Sequence, residues 1–403
     1  MRLAGMVSAL ALTLAGCGGE DGGGGTASTP TPTASPSATP TPAPSPTALP
    51  TPTPTPAPAS VTAVGRTNVA IFDNPWAMVF LPDGRLLVTE KPGRLWLVTT
   101  AGAKAQVAGV PAVTASGQLG LQDVVLAPDF AGTGRIYLSF AEPATGGQRL
   151  AIARARLNLS GAPALVDLQV VWRATPATTG GHLGSRMAFS PDGYLFVTSG
   201  DRQQGSPAQD LTGTLGKILR LNPDGTIPAG NPFSGTANAR SEIWALGVRN
   251  PYGLVFASDG RLFESEMGPE GGDEFNLITA GRNYGWPLVS EGDNYGGGPI
   301  PRHSTNAGYA APLYSWTPVI APGGMIQYRG TRFTGWTGDF ILAGLAQQGI
   351  VRVRVNGSTA TQQARIPLEA RIREVEEGPD GAIWALEDGP AGRLVRLDPA
   401  YTL

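Results

Sequence analysis

The chain has 403 residues, 41% hydrophobic and 15% charged, and its 29 Lys+Arg against 31 Asp+Glu leave a formal net charge of −2. With no cluster of Lys or Arg standing out, that balance excludes the basic footprint a nucleic-acid partner needs. The single cysteine, Cys17, excludes a disulfide within the chain.

Arg2 gives a short positive start, an apolar run follows from Leu3 to Leu14, and Leu14-Ala15-Gly16-Cys17 ends it in small residues before the cysteine. Residues 1–17 therefore read as a lipoprotein signal with Cys17 as the lipidated residue, the alternative being an ordinary secretory signal with a chance cysteine. The run is shorter than the roughly 20 residues of a transmembrane helix. On this reading the protein is extracytoplasmic, on the periplasmic or cell-surface side, and touches the membrane only through the lipid anchor at Cys17. Residues 18–60 are Gly-rich, then a succession of Thr-Pro, Ser-Pro and Ala-Pro steps. Proline fixes φ and removes amide donors, so this stretch is expected to be a disordered, extended tether that packs no core.

Residues 61–403 are long enough for a large core. Short β-rich runs recur through them, each introduced by a turn: LPDGRLLVTE, SPDGYLFVTSGD, ASDGRLFESE and GPDGAIWALED. Asp-Gly supplies the positive φ of a tight hairpin, and the residues after it alternate as a strand does. APDFAGTGRIYLSF is a lengthened copy and TGDFILAGL a degenerate one, which makes six. Six units of roughly 55 to 60 residues each suit four-stranded blades, and no helical periodicity persists, so the fold class is all-β, a six-bladed β-propeller. The strand at about Val61 to Ile71 is expected to pair with the terminal GRLVRLDP run and close the ring, which removes exposed sheet edges.

Three linked segments carry the chemistry: GGHLGSRMAFSPDGYLFVTSGD, GVRNPYG and SEMGPEGGDEFNLITAGRNYGWP. They place His182, Asp201, Arg249, Asn250 and the Gly268-Pro269 carbonyls in strand-to-strand loops. An imidazole titrates near working pH and suits proton removal, although a lone histidine more often only bonds its own loop. Arg249 offers a fixed fork of donors for an oxyanion; its bland alternative is to brace two blades. GPEGGDE is an acidic turn whose Gly-Pro step can aim consecutive carbonyls at a hard cation. In EARIREVEEGPDG, alternation puts Arg371 and Arg373 on one strand face. His303, in PRHSTN, is expected on a surface loop.

From about Asn74 to Asp398 these motifs resemble the soluble, PQQ-dependent aldose and glucose/sorbosone dehydrogenases. The resemblance implies a propeller holding PQQ and calcium in a cleft at one end of the central axis. It implies that His182 is the general base, oriented by Asp201, and that Arg249 and Asn250 contact the quinone region. Gln118, in SGQLGLQD, matches a glutamine that reaches the site, and Arg371 with Arg373 a pair facing the PQQ carboxylates. Gly268 and Pro269 match carbonyl ligands of the calcium under PQQ, and a second, structural calcium is implied near Glu274 and Tyr284. The implied reaction takes aldoses to lactones, with hydride passing to PQQ and electrons leaving to an external acceptor, a quinone or a cytochrome.

One departure stands out. Family members commonly place a lysine in the loop that here reads GLAQQG, and Lys91, Lys104 and Lys217 are this chain's only lysines. Gln347 or Gln348 is left to offer a neutral hydrogen bond, and a family threonine is replaced near Val319. That loss keeps two other readings open, a non-catalytic calcium-binding propeller that binds carbohydrate or protein, and a calcium-dependent lactonase.

Overall fold

The structure, a computed structural model, describes residues 61–401. Cys17 and the tether of residues 18–60 lie outside them. Among the described residues, twenty-four strands form six four-stranded antiparallel sheets, with one four-residue helix and two short 3-10 turns between them. The first strands of the six sheets are Pro75–Phe80, Leu121–Leu126, Gly184–Phe189, Pro251–Phe256, Pro322–Gln327 and Ile372–Glu377. They touch one another in cyclic order, the last against the first. This is a six-bladed β-propeller, and blades 1 to 6 are numbered here by those strands.

Closure occurs as the sequence suggests, with one added residue. Val61–Phe72 pairs antiparallel with Gly392–Tyr401, Gly65 opposite Asp398, so both ends of the propeller share blade 6. The ring leaves no open edge between first and last blade. Six apolar clusters fill the six blade interfaces. The outer strands are half-solvated and alternate, as in Thr359–Pro367, whereas second strands such as Leu262–Glu266 are buried throughout.

The repeated turns are alike in detail. Gly84, Gly193, Gly260 and Gly381 have φ between 76 and 88°. In each turn the glycine amide donates to the residue three before it, 2.8–3.0 Å away. All four turns join first to second strands, so they rim the end of the axis opposite to where the first strands begin. Each first strand also carries a register shift near its middle, for instance between Pro75 and Met78 and between Ile372 and Glu374. Such bulges bend a strand and re-aim its side chains.

The third residues of the six first strands are Ala77, Asp123, Arg186, Gly253, Gly324 and Glu374. They close the axis at mid-height. Arg186 reaches Asp123 at 3.1 Å, pairs with Glu374, donates to the Tyr252 carbonyl at 2.8 Å and lies 4.3 Å over the Trp76 ring. Gly324 makes room for this: a Cβ there would stand 1.9 Å from a Glu374 oxygen. Beyond the plug, toward the repeated turns, lies a cavity of about 460 Å³ lined in part by Met78, Val125, Arg329, Glu376 and Glu377.

Burial, then the charge of Glu374, push the Glu376 carboxyl up to about 8. An acid whose folded pKa is raised contributes stability that is present below its unfolded value and lost as pH rises through the folded one. Glu376→Gln should therefore match wild type near pH 5 and exceed it by about 1–2 kcal/mol near pH 9. Thermal melts of both proteins across that range measure the difference.

Candidate active site

The opposite end of the axis, where first strands begin and second strands end, gathers the residues singled out in the sequence. His182 precedes the first strand of blade 3 and Asp201 follows its second strand, Leu195–Ser199. The imidazole Nδ1 lies 2.8 Å from Asp201 Oδ1, with His182 6% and Asp201 1% exposed. The other Asp201 oxygen accepts from Trp286 Nε1 at 2.7 Å, and the Gln203 and Gly205 amides donate to the same carboxylate. Burial by itself would raise this carboxyl; the bonds from His182, Trp286 and the Gln203 amide outweigh it and hold Asp201 below the usual carboxylate range. Asp201 thus stays ionised and fixes one face of the ring.

The backbone here is strained. His182, Ser185, Arg202 and Gln203 all have positive φ, between 46 and 86°, at a cost that surrounding contacts must offset. Those contacts are present. Gln118 Oε1 accepts the His182 amide at 2.7 Å, Gln203 Oε1 accepts the Gly181 amide at 2.7 Å, and Tyr252 Oη donates to Gln118 at 3.4 Å. Gln118 thus meets the histidine through its backbone amide. Gly200 is equally required, because a Cβ there would stand 2.1 Å from the His182 carbonyl oxygen.

Arg249 and Asn250 begin blade 4, and both backbone amides donate to Glu266. The Arg249 Nη1 donates to the carbonyls of Met267 (2.9 Å) and Gly268 (2.7 Å), and its guanidinium lies 5.2 Å from the Trp286 ring centroid. Its Nε is buried without a hydrogen-bond partner among the described residues. Arg249 thus meets one of the two carbonyls expected to face a cation. Pro269, the other, lines a wide groove of about 720 Å³ with Tyr295, Thr317 and Val319. Tyr295, 71% exposed, stands between this groove and Arg249, to which its hydroxyl lies 3.3 Å away.

Behind Gly268 the protein buries an unusual amount of acid. Glu264, Glu266, Asp273 and Glu274 are all at most 5% exposed. Burial pushes Glu266 up to about 7 and Asp273 to about 6, and raises Glu264 and Glu274 well above their ordinary value, with Glu266's charge adding to both. Asn276 donates to Glu264 (3.1 Å) and Glu274 (3.3 Å), yet Glu264 Oε1 and Asn276 Oδ1 have no hydrogen-bond partner among the described residues. A cavity of about 10 Å³ sits among Glu266, Gly268, Glu274, Tyr284 and Trp286, the size of one water or ion. Two of these carboxylates, Glu266 and Glu274, line that space with Gly268, so a hard cation there would need backbone carbonyls as well, since the described residues bring no group of three His, Cys, Asp or Glu side chains to one point.

His303 is not the surface residue expected. It is 4% exposed in the turn His303–Thr305, with Nδ1 2.9 Å from Glu291 Oε1 and Nε2 2.9 Å from the Tyr284 carbonyl. No sequence periodicity marks this, because the contacts come from a loop folding back on blade 4.

Arg371 precedes the strand Ile372–Glu377 and Arg373 is its second residue, inside the register shift, so strand alternation does not account for their placement; both nevertheless reach Asp388: Arg371 Nε at 3.2 Å, Arg373 Nη2 at 2.9 Å. Burial works to raise Asp388, but the arginines dominate and hold it low. Asp388, Trp286, Gln203 and Glu266 are site residues that sequence reasoning missed. A signal for Asp388 existed, since it follows WALE as Asp201 follows VTSG. Gln347 does not fill the lysine's place: its carboxamide accepts from Arg365 on the outer strand at 3.2 Å, and Gln348 is exposed.

The Glucose / Sorbosone dehydrogenase family model matches residues 72–396. Aldose sugar dehydrogenase YliI of Escherichia coli is 40% identical over 337 residues, spanning 81% of this chain and 90% of its own. Quinoprotein glucose dehydrogenase B of Acinetobacter calcoaceticus is 28% identical over 415 residues, 82% and 86% of the two chains. Among solved structures, the soluble aldose sugar dehydrogenase from Escherichia coli in its apo-form superposes with a TM-score of 0.81 at 38% identity, covering 84% of this chain and 100% of that one. The PQQ-bound form of aldose sugar dehydrogenase from Streptomyces coelicolor gives 0.70 at 30% identity, covering 84% and 99%.

Proposed function

The chain belongs to the glucose/sorbosone dehydrogenase family, and from that premise we propose that it oxidises aldose sugars at the anomeric carbon to lactones, using PQQ and Ca²⁺ and passing the electrons to an external quinone or cytochrome. The observation that carries the reading is the His182–Asp201 pair, preorganised at the same mouth as Arg249, Arg371 and Arg373.

The residues divide the work. With Nδ1 bonded to Asp201, the His182 Nε2 is the nitrogen left to accept the anomeric hydroxyl proton, and the ionised Asp201 stabilises the imidazolium that results. When bound, PQQ supplies a two-electron acceptor for the hydride leaving the sugar carbon. Arg371 and Arg373 would hold its carboxylates, paired through Asp388 so that neither swings away. Arg249 and Asn250 would face its quinone end, where the positive charge of the Arg249 guanidinium would favour developing negative charge. Gly268 and Pro269 would hold the calcium through their carbonyls; Gly268 O already accepts from Arg249 and has a second lone pair. Glu274 and the Tyr284 carbonyl would hold a second, structural calcium. The groove beside Tyr295 is where the sugar would enter.

Reconstituting the purified protein with PQQ and Ca²⁺ and following dye reduction across a panel of aldoses tests the proposal, with lactone as the expected product. Metal binding has its own signature. The raised carboxylates contribute stability below about pH 4.5 that is lost as pH rises through about 7 for Glu266, and a bound cation offsets that loss. Ca²⁺ should therefore raise the melting temperature of metal-free protein more near pH 8 than near pH 5, as read by scanning fluorimetry. We propose further that the protein works outside the cytoplasm, anchored by lipid on Cys17, which mass spectrometry of the membrane fraction would check.

A further inference from the structure

Blade 1 brings another cation to the cofactor end. Lys91 directly follows the strand Leu86–Glu90, as Asp388 follows Ile383–Glu387 in the neighbouring blade. The pairs Pro75 with Glu90 and Ile372 with Glu387 make the two positions equivalent. The Lys91 backbone is clamped from both sides: its amide donates to the Asn74 carbonyl and its carbonyl accepts from the Leu121 amide, each at 3.0 Å. Gly120, at φ +150°, permits that approach, since a Cβ there would lie 2.2 Å from the Lys91 oxygen.

The half-buried side chain ends 3.3 Å from the Gly117 carbonyl, one residue before Gln118. Burial pulls the ammonium pKa down, and Arg373 and Arg371 add repulsion that Asp388 offsets in part. Asp388 is already bonded by both arginines, before the Lys91 ammonium is counted. Asp73, whose charge also acts on Lys91, is committed to Arg94 at 2.6 Å. Positive charge gathered this way and left short of counter-charge suits a polyanion.

We propose that Lys91 is a cofactor-binding residue that takes one carboxylate of PQQ and completes a cradle with Arg371 and Arg373. The proposal rests on the PQQ reading above, and it supplies from blade 1 the cation that the loop at residues 345–348 lacks.

The test is titration of the purified protein with PQQ in the presence of Ca²⁺, read by cofactor absorbance and tryptophan quenching, beside thermal melts of the cofactor-free protein. Lys91→Met should weaken PQQ binding about tenfold, and Lys91→Arg should recover most of it. The cofactor-free melting temperature of Lys91→Met should equal or exceed that of wild type, because a repelling charge is gone. Equal PQQ affinity in wild type and Lys91→Met overturns this proposal and leaves the dehydrogenase reading standing. So does weakened binding with a lowered cofactor-free melting temperature and no recovery by arginine, which marks a structural role. A wild-type protein that binds no PQQ overturns both.

Discussion

His182→Asn is expected to reduce aldose oxidation by about 10²–10⁴-fold while leaving PQQ and Ca²⁺ affinity close to wild type. Asparagine is the informative choice because His182 sits at φ 46°, and asparagine tolerates that left-handed conformation where alanine would add strain. Its side chain keeps a polar contact with Asp201 but cannot accept a proton at neutral pH. The loss should fall on kcat with little change in KM, since an interaction made only as the proton moves is removed. Asp201→Asn should follow with a smaller loss, because the ring would keep its place but lose the charge that stabilises its protonated form. Steady-state kinetics on reconstituted protein separate these outcomes, and undiminished turnover in His182→Asn would remove the base from this site.

The second large effect is on stability. Arg186→Met should cost about 3–5 kcal/mol, because it leaves Asp123 and Glu374 facing each other without their shared cation at the centre of the ring. Both carboxyls are buried, and desolvation already raises them despite the guanidinium. Asp123→Asn with Glu374→Gln, added to Arg186→Met, should recover much of the loss. This is the expected behaviour of a charge penalty and not of a packing defect. Urea denaturation of the single and triple variants distinguishes the two. The plug also separates the cofactor end from the cavity beyond it, so Arg186→Met is expected to weaken PQQ binding as well.

Much of the fold was legible because each blade repeats one local code. A Asp-Gly turn followed by an alternating strand fixes the first-to-second strand hairpin, and closure of Val61–Phe72 on Gly392–Tyr401 follows from the need to cover two edges. The His182–Asp201 pair was legible for a related reason, since both residues flank one hairpin. Other parts of the site were hidden because they are made between blades. Trp286 reaches Asp201 from blade 4, the charge of Lys91 in blade 1 acts on the arginines of blade 6, and the buried position of His303 depends on a loop returning to Tyr284. The acidic cluster was hidden differently. Glu264, Glu266 and Glu274 sit on strands whose alternation looks ordinary, and only the pairing of Glu266 with Glu274 puts them in one dry space.

The most direct measurement is a single turnover without any external acceptor. Protein loaded with PQQ and Ca²⁺ is mixed anaerobically with aldose, and oxidised-quinone absorbance and lactone are followed together. One equivalent of lactone per bound PQQ, formed as that absorbance disappears, is the result expected of a base and an electron acceptor sharing one mouth. Saturated PQQ with unchanged absorbance, or lactone formed without its loss, would contradict it.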